Sequence, residues 1–161
     1  MKKSSKGFSL TELLIVVAII LIIAAIAIPN LLRSRIAANQ ASAVGSCRTL
    51  NTAEITYAST YNVGFTYSMA YLAPPATAGT NPTSTAAGLI DSVLASGSKS
   101  GYSFTYSPGA SDSTGRINTY QIFAVPISNS TGTNYYYTDQ SGVIRQNSTT
   151  TAASTDSPIA G

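Results

Sequence analysis

The chain has no histidine, one cysteine and only six acidic residues in 161. Each shortage removes a class of chemistry. Without imidazole, and with a single thiol at Cys47, no cluster of His or Cys ligands can hold a metal, and no Ser-His or Cys-His pair can form. A disulfide framework within one chain is excluded as well. These absences predict a protein that is not an enzyme, with no cofactor and no metal. A lone Cys is ordinarily a small buried hydrophobe, and intermolecular pairing is the other reading open to Cys47.

Charge is scarce and unevenly placed. Three of the nine basic residues are Lys2, Lys3 and Lys6 at the extreme N-terminus. The other six, Arg33, Arg35, Arg48, Lys99, Arg116 and Arg145, balance the six acids Glu12, Glu54, Asp91, Asp112, Asp139 and Asp156. The formal charge of +3 therefore belongs to a short leader and not to a binding face. Only Arg33 and Arg35 cluster elsewhere, so no specific nucleic acid is expected as partner.

What the chain does have is a long apolar run, GFSLTELLIVVAIILIIAAIAIPNLLRSR, in which Glu12 is the only charge between Lys6 and Arg33. Leu13 to Ile28 is continuously apolar, and a helix from Phe8 to Ile28 spans about 32 Å, enough for a bilayer core. The lysines place the N-terminus in the cytoplasm and the bulk of the chain outside. A carboxylate in hydrocarbon costs roughly 2.5–3.5 kcal/mol or more, and the run offers it no nearby partner. A secretory signal peptide cut near Ala25-Ile26-Ala27 is one alternative, although such a signal gains nothing from Glu12. A simple uncleaved anchor is another.

A third reading uses every oddity of the segment. Lys6-Gly7-Phe8-Ser9-Leu10-Thr11-Glu12-Leu13-Leu14, behind a short basic leader, resembles the processing site of type IV pilin-like proteins. The resemblance implies cleavage between Gly7 and Phe8 by a prepilin peptidase, N-methylation of Phe8, and an assembly role for Glu12, fifth after the cut. Pro29 stands where the family has a helix-bending proline. Cleavage would create a charged amine at Phe8, and in a staggered bundle Glu12 of one copy could pair with the amine of the next. Such a pair is costly unmade and sets axial register when made. Ala18, Ala24, Ala25 and Ala27 would let neighbouring helices approach. The plainer reading of Glu12 is a side chain that reaches back to the membrane surface.

Beyond the apolar run, Ile36, Ala43, Cys47, Leu50, Tyr57, Ala58 and Tyr61 recur at helical spacing, so the helix is expected to continue to Tyr61. Glu54 interrupts that stripe and needs a partner or an exposed edge. Pro29 removes a backbone donor, which predicts a kink or local melting there; Gly45 is a second weak point. Residues 62–101 read as a connecting loop, proline-punctuated over 72–88, with a short helix across Ala87–Ala95 lined by Leu89, Ile90, Val93 and Leu94. Strands are predicted at Tyr102–Tyr106, Tyr120–Val125, Tyr135–Tyr137 and Val143–Arg145, the last two joined by an Asp139–Gly142 turn. The tail from Asn147 is Ser/Thr-rich and expected to be flexible. Ten tyrosines suit rings packed on a sheet with wet hydroxyls, in preference to a stacking path for bases or electrons. Asn129-Ser-Thr131 and Asn147-Ser-Thr149 match a glycosylation sequon, a short and weak pattern.

The fold expected is α+β: leader 1–7, membrane and assembly helix 8–30, and a globular domain 31–161. In that domain the helix continues over 31–61 and packs on a small antiparallel sheet of about four strands over 102–146. The pilin resemblance implies the same arrangement, although many type IV pilins close the C-terminal region with a disulfide that this chain cannot form. Three functions follow. The first is a type IV pilus subunit, a homopolymer built by pilus machinery from an inner-membrane pool, serving adhesion, twitching or uptake at the cell surface. The second is a pseudopilin of a type II secretion system. Major pseudopilins often bind calcium in an acidic C-terminal loop, whereas Asp112, Asp139 and Asp156 are scattered here. The third, outside the family, is a secreted or anchored extracellular binding domain.

Overall fold

The computed structural model describes residues 7–77 and 79–159. The leader lysines Lys2, Lys3 and Lys6 and the last two residues of the expected tail lie outside the described residues. The described chain divides into two compact units, one up to Arg35 and one from Ile36 onward. Helix α1, Leu10–Tyr61, supplies residues to both. The α+β architecture is the one expected, with five strands in place of four.

The first unit is almost entirely apolar helix with its side chains exposed; Leu13, Ile20, Ile23 and Ile28 are all more than half accessible. The helix is long and apolar enough to cross a membrane, and none of that apolar window is buried. It is continuous through Pro29, so the expected melting does not occur. Only one i to i−4 bond is lost at a proline, and the flanking Leu, Ile and Ala residues keep the other turns.

The second unit has the core. From α1 it takes Ala43, Cys47, Leu50, Ala53 and Tyr57, so the predicted stripe is largely the buried face, although Ile36 is only half-buried. On the opposite face the hydroxyls of Thr49, Thr52 and Thr56 bond back to carbonyls one turn earlier. The helix stops where Asn62 takes a left-handed φ of 54° while its N–H still reaches Ala58 O at 3.0 Å. Gly64 follows at φ 84°, close against Ile117, where any Cβ would strike the Ile117 backbone. Only glycine fits that crossing.

The sheet is an antiparallel meander of β1 (Ser98–Lys99), β2 (Tyr102–Pro108), β3 (Tyr120–Pro126), β4 (Tyr135–Asp139) and β5 (Arg145–Asn147), in that spatial order. Tyr102 and Phe104 alternate inward with exposed Ser103 and Thr105, as the period-two pattern predicts. β1 escaped prediction because two polar residues carry no such pattern. The last strand starts at Arg145 and not at Val143: the Asp139–Gly142 turn forms, with Gly142 N donating to Asp139 O at 2.9 Å, but Val143 and Ile144 still belong to the connection.

The expected helix at 87–95 shrinks to one turn, α2 (Ser92–Ala95), capped by the Asp91 carboxylate on Leu94 N at 2.9 Å. Ile90 and Leu94 are buried, but Val93 is exposed and does not line the inner side. A 3-10 turn, Met69–Leu72, adds Met69 and Leu72 to the core. Residues 147–159, expected as a flexible tail, fold back on the sheet. Gln146 N donates to Ser157 O, Ile159 N to Ile144 O, and Ala152 is buried.

Candidate functional site: the start of the apolar helix and the buried face of its continuation

Gly7 and Phe8 precede α1 in exposed, non-helical backbone. The next residues build a reciprocal cap. Ser9 N donates to Glu12 Oε2 at 2.8 Å, and Thr11 N donates to Ser9 Oγ at 3.3 Å. This is the capping-box arrangement, which satisfies donors that the first helical turn leaves open. Glu12 therefore has a partner within its own chain, contrary to the expectation from the run. The missed signal is the Ser-x-x-Glu spacing itself. Its carboxylate also sits at the positive end of the helix dipole, where an anion is favoured. Oε1 accepts no bond from a described residue, so one carboxylate oxygen is used in the cap and one is not.

Pro29 lies one turn before Arg33 on the continuous helix, and a shallow apolar depression there is lined by Ala27, Ile28, Asn30, Leu31 and Ser34. Arg33 and Arg35 close the apolar segment. Between Glu12 and Arg33 there is no charge.

In the second unit the buried polar residues of α1 are Ser46, Asn51 and Glu54, and the last two tie the helix to other elements. Asn51 Nδ2 donates to Thr138 Oγ1 at 2.8 Å and to Gly142 O at 3.3 Å, while its Oδ1 accepts from the Tyr120 hydroxyl at 3.1 Å. One amide thereby ties α1 to β3, β4 and the turn after β4. Nothing in the helical stripe singled Asn51 out. Glu54 was singled out, and its partner is Thr66: Thr66 N donates to Oε2 at 3.0 Å and Thr66 Oγ1 to Oε1 at 2.5 Å. Burial pushes the Glu54 carboxyl up from its ordinary range, against the two hydrogen bonds from Thr66.

The tyrosine hydroxyls correct another expectation. Those of Tyr57, Tyr102 and Tyr106 donate to the carbonyls of Ser84, Asn134 and Thr66 at 2.7–2.8 Å, and are not left to water. Burial raises the phenol pKa at Tyr102, Tyr106 and Tyr120. Cys47 is fully buried, with its thiol pushed up to about 12 by desolvation, as the reading of a small hydrophobe expects. Asp112, Asp139 and Asp156 each serve their own loop. Asp112 accepts from Thr114, Arg116 N and Asn118, Asp139 from Tyr137 and Ser141 N, and Asp156 from Asn147 and Ala153 N. The Thr114 hydrogen bond is the largest of those that hold the Asp112 carboxyl below its usual range. The two sequons differ: Asn147 accepts from Thr149 and donates to Asp156, whereas Asn129 lies in an exposed turn.

The prokaryotic N-terminal methylation motif matches residues 2–28. The segment is a type IV pilin-like class III signal. Over 37 residues the chain is 62% identical to the type IV wide pilus major component PilA4 of Thermus thermophilus. That match takes in 23% of this chain and 28% of the length of the relative. No solved structure matches the chain. The matched stretch takes in the basic N-terminus, the Gly7-Phe8 pair and Glu12 at the head of the apolar helix.

Proposed function

We propose that the chain is a structural subunit of a type IV pilus, not an enzyme. It is inserted in the inner membrane with its N-terminus cytoplasmic, cut between Gly7 and Phe8, methylated at Phe8 and polymerised through α1 into an extracellular filament. The observation that carries this reading is the first unit itself. Its apolar side chains are exposed from Phe8 to Leu32, with one charge at the head, so they require a bilayer and then neighbouring copies to cover them. Exposed, non-helical backbone at Gly7-Phe8 suits a peptidase, because a scissile bond must lie extended in the enzyme. Glu12 Oε2 caps its own helix, and Oε1 is available to the Phe8 amine of the adjacent subunit. Partners are then the peptidase and methyltransferase, the assembly machinery, and copies of the same chain.

The pseudopilin reading shares the signal and differs in where the fibre stands. The engagement of Asp112, Asp139 and Asp156 in three separate loops favours the pilus over a calcium-holding pseudopilin loop. Mass spectrometry of the chain from membranes and from sheared surface fractions tests the scheme. A mature chain beginning at methylated Phe8 is expected, along with surface filaments visible by electron microscopy at native expression. A chain beginning near Ile28 would sink the reading, and processed chain without surface filaments would move it to the secretion system. Glu12→Ala should insert normally and lose most or all filament assembly; filaments at the normal level would refute the pairing role.

A further inference from the structure

Glu54 is fully buried, and the groups acting on it are Thr66 and Tyr106, with no cation among them. A carboxyl in that position is unusual, since buried charges are ordinarily paired. Thr66 is fully buried as well, and all its polar atoms are engaged with this cluster. Its N–H and hydroxyl serve Glu54, while its carbonyl accepts from the Tyr106 hydroxyl at 2.8 Å. Tyr106 in turn stacks on Tyr120, with ring centroids 5.9 Å apart and planes at 16°. The segment pinned here is the crossing that follows α1, where Phe65 N donates to Ile117 O at 2.8 Å.

The titratable groups that face Glu54 come from three elements: Tyr57 on α1, Tyr106 on β2 and Tyr120 on β3. All three are neutral phenols, and a negative charge on Glu54 raises each of them further. Asp139, at the end of β4, acts on the Tyr120 phenol with the same sign. An ionised Glu54 therefore meets desolvation and, among the described residues, no compensating positive charge.

We propose that Glu54 is a pH-sensitive latch between α1 and the 62–67 crossing. The neutral acid holds Thr66 in the core, and ionisation on alkalinisation releases the crossing into local opening. The Oε1–Oγ1 contact serves the neutral form with the proton on Glu54 and the charged form with the proton on Thr66, so the contact itself is kept while ionisation adds a desolvation cost that the neutral acid does not carry. The direction is fixed by linkage. A carboxyl raised in the folded state contributes its full stability below the ordinary value near 4.5 and loses it as pH rises through the folded value.

The latch does not depend on what the chain assembles into, and it is tested on the full-length protein in detergent micelles. Amide hydrogen exchange at Phe65 and Thr66 is followed from about pH 5 to about pH 9, corrected for intrinsic base catalysis, beside the isosteric Glu54→Gln. Wild-type protection should fall relative to the variant by up to about tenfold for each pH unit between the ordinary carboxyl value and the folded value, and level off above it. Parallel profiles for the two proteins would overturn the latch. Should Glu54→Gln fail to fold, a carbon-13 titration of the wild-type Glu54 carboxyl decides alone. Titration well above 4.5 supports the latch, and titration at the ordinary value overturns it.

Discussion

Leu14 and Leu50 lie on one helix, yet Leu14 is 63% exposed and Leu50 is fully buried. The same side chain does different work in the two units. Around Leu50, burial is supplied by the chain itself: Tyr102, Tyr120, Ile122 and Leu94 close over the inner face of α1. Around Leu14 no described residue does so, and each apolar side chain left open forgoes roughly 1.5–3 kcal/mol of burial. The second unit contains the stability that folds it. The first leaves its apolar surface exposed, and among its described residues the side-chain hydrogen bonds are those of the Ser9–Glu12 cap.

That contrast can be broken at several points. Leu50→Ala should cost the second unit about 2–5 kcal/mol, read from its thermal unfolding, whereas Leu14→Ala should leave that transition within about 0.5 kcal/mol. Similar losses at both sites would erase the distinction. Asn51→Ala comes next, at about 1–3 kcal/mol, because it leaves the Tyr120 and Thr138 hydroxyls unpaired in the core. A loss under a few tenths would mean that the amide fills space and little more. The smallest effect belongs to Lys99→Ala. The Lys99–Asp91 pair, 2.8 Å apart and partly exposed, should be worth no more than about 0.5 kcal/mol and should weaken with salt.

The two units also differ in how readily the sequence disclosed them. The signal was legible because each part is a residue type at a fixed offset: lysines, Gly7-Phe8, Glu12, an apolar run. Strands β2 and β3 were legible because alternation or sustained apolarity marks a sheet facing a core. The last strand slipped because Val143 and Ile144 look like strand residues but complete the connection from the turn, and pairing is set by register with β4. Val93 was misplaced because helical spacing predicts a face only when the helix is long enough to have one, and α2 is a single turn. Asn51 was invisible because an amide within an apolar stripe reads as a lapse until its three partners, 69 to 91 residues away, are brought beside it. Propensity also allowed Pro29 to break the helix, and the neighbouring turns carried it through.

Cys47 has a use that follows from its place under the sheet. It is the one thiol in the chain, fully buried and with its ionisation pushed up to about 12. A thiolate is the reactive form, so a thiol reagent at neutral pH can reach this sulfur only in molecules that have opened. The rate of its labelling is then a clock for opening of the second unit, built into the natural sequence. A subunit that is slower to label after assembly than before would report, through a single sulfur atom, how much its neighbours tighten it.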